Sequence, residues 1–112
     1  MSERVFELRT YTAEPGRLAD VQKRFREHTV GFFAKHGLEV VAFFTPLDGP
    51  TADNTLVYLL AFDSRAAAET AWASFQADPE WLSVRAASME NGPIVASIES
   101  VFLSPTDYSP LH

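Results

Sequence analysis

Three side chains that could act together on a small molecule lie near the start of the chain. Glu7, Arg9 and Tyr11 alternate with Phe6, Leu8 and Thr10. Alternate residues of an extended strand share a face, so an acid, a guanidinium and a phenol project from one side. A planar guanidinium grips a carboxylate or enolate through two parallel hydrogen bonds. A phenol donates a hydrogen bond or serves as a general acid. Converging on a largely apolar cavity, such groups orient a polar ligand. Glu7, Arg9 and Tyr11 are therefore the candidate catalytic residues. The competing reading is structural: buried charges are usually paired, so Glu7 and Arg9 would hold each other, or a partner subunit, in place. Glu99 has the parity to join them from the last strand.

His28, Tyr58, Trp72 and Trp81 are candidate ligand-binding residues. His28 borders the apolar stripe of the first helical stretch, where an imidazole could be a base or a haem ligand. The plainer reading is a partly buried, hydrogen-bonded histidine. Trp72 and Trp81, with Phe75, could floor a pocket between the second helix and the sheet, or simply fill the core. Tyr58 is expected to point into the helix–sheet core with Leu56, Leu60 and Phe62, where its hydroxyl needs a partner. His36 sits where a helix should end, a position the helix dipole favours. His28 and His36 are eight residues apart, roughly 12 Å along a helix, too far to share one metal. There is no cysteine, no paired-histidine motif, no Gly-rich phosphate loop and no G-x-S-x-G. No metal site, cofactor or hydrolytic triad is expected on these grounds.

The elements that must position these residues are legible from periodicity. Residues 5–12 alternate as a strand, closed by Glu14-Pro15-Gly16. Residues 17–35 change to helical spacing, with Leu18, Val21, Phe25, Thr29 and Phe32 turned inward. Arg17, Asp20, Lys23, Arg24 and Glu27 are assigned to the outer face, and Gly37 is a natural stop. Residues 38–46 and 55–62 read as strands joined through Asp48-Gly49-Pro50 and Asp53-Asn54. Asp63 or Ser64 caps an Ala-rich helix, and Asp78-Pro79-Glu80 starts another. Asn91-Gly92-Pro93 ends it before a last strand over 94–103. The order β-α-β-β-α-(α)-β predicts an α+β, ferredoxin-like fold: a four-stranded antiparallel sheet with helices on one face.

Residues 55–62 are apolar at nearly every position, so that strand should be covered on both faces. One helix layer covers only one. A homodimer with sheets packed face to face is the expected remedy. Glu7, Arg9 and Tyr11 are then expected to line the space between the two sheets. The chain's 112 residues fit one domain, 1–112. A net charge of −6 with two lysines argues against nucleic acid or an anionic membrane surface. No apolar run approaches the roughly 20 residues of a membrane span. The N-terminus lacks the pattern of a secretory signal, so a cytoplasmic location is expected.

Several segments together resemble the NIPSNAP family. They are 6–12 followed by Pro15-Gly16, then Lys35-His36-Gly37, then Gly49 and Asn54 ahead of Val57-Tyr58, then Asp78-Pro79-Glu80-Trp81, and finally 103–110. They run in order along nearly the whole chain. The resemblance implies a dimeric α/β barrel and says little about activity, because the family has no agreed biochemical function. Related barrel families include small monooxygenases, haem-degrading enzymes and muconolactone-type isomerases. The chain departs from similar sequences at Ala68, where they often carry an arginine; Arg65 is nearby on another helical face. Two functions follow as expectations. One is conversion of a small aromatic or quinone-like metabolite by monooxygenase- or isomerase-like chemistry. The other is a non-catalytic ligand-binding or protein-interaction dimer.

Overall fold

The computed structural model of the chain describes residues 4–112. Four strands, β1 (Val5–Ala13), β2 (Glu39–Phe44), β3 (Thr55–Phe62) and β4 (Val95–Leu103), form one antiparallel sheet in the order β2-β3-β1-β4. This is the expected ferredoxin-like order, with β1 and β3 central. Helices α1 (Leu18–Arg24), α2 (Val30–Lys35), α3 (Arg65–Ala77) and α4 (Pro79–Ser88) accompany it.

The caps are those the sequence supplies. Ser64 accepts a hydrogen bond from the Ala67 N–H, and Asp78 accepts one from the Glu80 N–H with Pro79 at the first helical position. Each satisfies a donor that the helix start leaves open. Gly37 ends α2 at φ +79°, a conformation that carries a steric cost for any side chain.

The first helical stretch differs from expectation at its centre. A π-helical turn, Phe25–Thr29, joins α1 to α2. Its wider turn keeps the inward positions four apart, so Val21, Phe25, Thr29 and Phe33 are buried and Phe32 is only half-buried. The Thr29 hydroxyl donates to the Arg24 carbonyl at 3.3 Å. Arg24, assigned from sequence to the outer face, is buried instead.

Register fixes what shares a face. Glu7 lies opposite Leu60, Arg9 opposite Tyr58 and Tyr11 opposite Leu56. Tyr58, Leu60 and Leu56 pack against Phe25, Phe33 and Phe75 in the core between sheet and helices. The expectation that Glu7, Arg9 and Tyr11 face a second sheet is therefore corrected: they face the chain's own helices. Alternation tells which residues travel together, not which side the helices cover. The opposite face carries Leu8, Leu59 and Val57 on the central strands, with Val101 and Leu103 from β4 and Phe44 from β2. Val101, Leu103 and Phe44 are exposed, so this face is the apolar, uncovered one.

Candidate functional site

A polar knot sits within the aromatic core on the helix side of β1. The Glu7 carboxylate is buried and accepts from the Trp72 indole N–H at 2.7 Å, from Arg9 Nη1 at 2.9 Å and from the Ser100 hydroxyl. Arg9 lies over Trp72, with 4.2 Å between the guanidinium carbon and the ring centre. Its Nε donates to the Tyr58 hydroxyl at 2.9 Å and its Nη2 to the Tyr11 hydroxyl at 3.4 Å. The Tyr58 and Tyr11 oxygens are 3.0 Å apart.

Proton counting orients this last contact. Tyr58 is completely buried. If Tyr11 donated to Tyr58, the Tyr58 proton would be left without an acceptor among the described residues. An unsatisfied buried donor costs about 1–3 kcal/mol. The favoured arrangement has Tyr58 donating to Tyr11. Tyr11 then accepts twice, and its own proton is free for another partner. Burial pushes the Tyr58 hydroxyl well above its ordinary pKa, with Tyr11 adding to the effect and Arg9 opposing it, so Tyr58 stays a donor at neutral pH. Burial works against the Arg9 charge, but the Tyr58 and Tyr11 hydroxyls and the Glu7 bond outweigh it and raise the Arg9 pKa.

Beside the knot is a cavity of about 440 Å³ between the sheet and α3 and α4. Arg9, Tyr11, Trp72 and Trp81 form part of its wall, with Arg24, Arg85 and Ile98. Such a volume is in the range of small-molecule sites. Of the residues singled out from sequence, Arg9, Tyr11, Trp72 and Trp81 meet here. Glu7 and Tyr58 stand behind the wall and hold Arg9 and Tyr11 in place. His28 does not join them; it is exposed in a separate depression between α1 and α4. It lies within the π turn, on the outer side of the helix, so bordering the apolar stripe did not turn it inward. Glu99 is also removed: it pairs with Thr10, on the opposite face, and Ser100 reaches Glu7 in its place.

His36 serves a different purpose. Its Nε2 lies 2.7 Å from Asp78 Oδ2 and its Nδ1 lies 2.6 Å from Ser74 Oγ, while Lys35 Nζ reaches the same Asp78 oxygen at 2.9 Å. This clasp ties the end of α2 to α3 and the start of α4. Bonds from His36, then Lys35, hold the Asp78 carboxyl well below the usual carboxylate range. Ala68 is buried in the core, and Arg65 stacks on Phe102 at 4.3 Å; neither reaches the knot's hydroxyls.

Arg24, Arg85 and Ser100 were not anticipated as site residues. Ser100 could have been found from strand parity once the register was known. A charged residue on an amphipathic helix gives no sign of being buried, so Arg24 could not.

Known structures share this architecture. An uncharacterized NIPSNAP-like domain protein from Burkholderia xenovorans superposes with a TM-score of 0.85 at 19% identity, over 98% of this chain and 91% of that one. A NIPSNAP family protein of unknown function from Agrobacterium tumefaciens gives 0.84 at 26% identity, over 98% and 95%. SnoaB, a cofactor-independent oxygenase from Streptomyces nogalater, gives 0.61 at 19% identity, over 97% and 99%. No curated protein sequence matches. The NIPSNAP family profile matches residues 6–110, which span the knot, the cavity walls and the Asp78 clasp alike. With profile and fold in agreement over nearly its whole length, the chain belongs to the NIPSNAP family.

Proposed function

We propose that the chain holds a small aromatic or quinone-like molecule in the cavity under its helices and converts it by monooxygenase- or isomerase-like chemistry. The observation that carries this reading is the Tyr11 hydroxyl. It accepts from Arg9 and Tyr58 and keeps a proton to donate, and Tyr11 is among the residues that line the cavity. A ligand carbonyl or phenolic oxygen placed there is polarised by a donor fixed in advance, the arrangement that stabilises developing negative charge on oxygen. Trp72 and Trp81 are among the residues that line the cavity and add apolar surface beside the ligand's rings. The likeness to SnoaB is one of fold, and supports testing oxygenation first.

A specific observation favours a second reading, binding without conversion. Among the described residues, no carboxylate or imidazole stands on this cavity's wall, and Glu7 is occupied by Trp72, Arg9 and Ser100. Chemistry that needs a protein base has none at hand. In either reading the chain acts as a homodimer. Support comes from the uncovered apolar face of Leu59, Val101, Leu103 and Phe44, which an isologous sheet–sheet contact would bury.

The test is a titration with 1,4-naphthoquinone followed by tryptophan emission, alongside oxygen uptake with hydroxynaphthalenes. Both tryptophans of the chain, Trp72 and Trp81, lie on the cavity wall. Saturable quenching that weakens about tenfold in Tyr11→Phe supports the site. Tyr11-dependent oxygen uptake supports the oxygenase reading, and binding without uptake supports the second. Absence of saturable quenching overturns both at this site.

A further inference from the structure

Resting on the binding reading above, we infer that the ligand is an organic anion, a flat aromatic carboxylate, whose charge is met by Arg24 assisted by Arg85. The chain is acidic, at −6, yet among the described residues no aspartate or glutamate lies on the wall of this cavity, while three arginines do. Arg9 is neutralised by Glu7. Among the described residues, neither Arg24 nor Arg85 forms an ion pair.

Arg24 is the telling member. Only 8% of it is exposed, so it is a buried cation without a counter-charge. Its Nη1 donates to the Ser88 hydroxyl at 3.2 Å, but its buried Nε has no partner among the described residues. Buried charges in folded proteins are paired or bound to ligands, because solvation by neutral groups alone does not replace water. Burial lowers the Arg24 pKa; Tyr11 opposes this, and the neighbouring Arg85 charge adds to it. An anion between the two arginines relieves both effects.

Local structure explains how Arg24 comes to face inward. It is the last residue of α1, three after the buried Val21 and directly before the π turn, so helical spacing puts it on the inward side beside Phe25. Turns of this kind recur at functional sites. The guanidinium carbon lies 5.4 Å from the Trp81 ring centre, so a carboxylate bound to Arg24 would place its aromatic body along Trp81. Arg24 also borders the depression between α1 and α4, where Arg17 and Lys23 are offset by Asp20, Glu27 and Glu90, so an anion there meets as many carboxylates as cations. The carboxylate-free cavity is the place for it.

The experiment is calorimetric titration of the full chain with 2-naphthoate and with its neutral counterpart 2-naphthamide. Naphthoate is expected to bind at least about tenfold more tightly, the worth of a hydrogen-bonded charge. Arg24→Gln is expected to bring the two affinities together. Should that variant fail to fold, Arg85→Gln at its exposed position is expected to reduce the preference instead. Equal affinities in the unsubstituted chain, or a preference untouched by these substitutions, overturn the anion assignment while leaving the cavity reading in place. No binding of either compound at about 1 mM overturns both.

Discussion

The hydroxyls of Tyr58 and Tyr11 meet at 3.0 Å; Tyr58 is completely buried, and Tyr11 is one of the residues that line a cavity. The contact divides labour between two residues of the same type. Tyr58 spends its proton on Tyr11, and Tyr11 has one left to offer. The two phenylalanine substitutions should therefore differ. Tyr58→Phe removes a buried bond and leaves Arg9 Nε short of an acceptor. It is expected to lower stability by about 1–3 kcal/mol. Tyr11→Phe leaves the buried Tyr58 proton without its acceptor, so it is expected to cost a similar amount, about 1–3 kcal/mol, and in addition to lower ligand affinity about tenfold. Urea denaturation and naphthoquinone titration of both variants check this; an equal loss of ligand affinity in both would refute the division.

Glu7 and Arg9 form a buried pair at 2.9 Å. Exposed pairs such as Arg17–Asp20 are worth about 0–1 kcal/mol, but removing one partner of a buried pair costs about 3–5 kcal/mol. Glu7→Ala leaves Arg9, the Trp72 N–H and Ser100 without their acceptor. The expected loss is at the upper part of that range, whereas Asp20→Ala should fall within about 1 kcal/mol of the unsubstituted chain. Urea midpoints at neutral pH decide it.

The Asp78 clasp makes stability pH-dependent with a definite sign. The folded-state pKa is depressed below the ordinary 3.8, chiefly by His36 and then Lys35. The unfolded chain therefore takes up the proton first as pH falls. The carboxylate's contribution is complete above the ordinary value and declines as pH drops below it toward the folded value. Asp78→Asn should be less stable than the unsubstituted chain at pH 7, and the gap should narrow between about pH 4 and pH 2. A gap constant over that interval would show that the clasp carries no such linkage. Lys35, whose pKa the same bond raises, contributes on the alkaline side, with stability lost as pH climbs through its raised value.

Val101 lies on the uncovered sheet face, 49% exposed. Light scattering is expected to give twice the chain mass for the unsubstituted protein and the single-chain mass for Val101→Glu, with the far-ultraviolet spectrum retained. A charge placed against its own symmetry mate is repelled. A dimer that survives the substitution would move the interface off this face.

The sequence by itself determined the element order, the caps at Ser64 and Asp78, and the fact that Glu7, Arg9 and Tyr11 project together. Those are local properties: strand period, side chains that satisfy helix ends, and residues that tolerate positive φ. Tyr58 lies in the helix–sheet core as expected, but β3 is apolar on both sides and did not itself say which face the helices would cover. Tertiary structure alone decided which sheet face the helices cover, and that moved the Glu7–Arg9–Tyr11 group from an expected intersheet space to the interior of the chain. It decided the π turn, after which Phe33 rather than Phe32 is buried, since one added residue per turn rotates everything after it without changing composition; it also buried Arg24 just before that turn and left His28, within it, outside. It brought Ser100, Trp72 and Trp81 to one knot and one cavity from segments far apart in the chain. Period fixes which neighbours move as a set; only the packing of the whole chain fixes what that set meets.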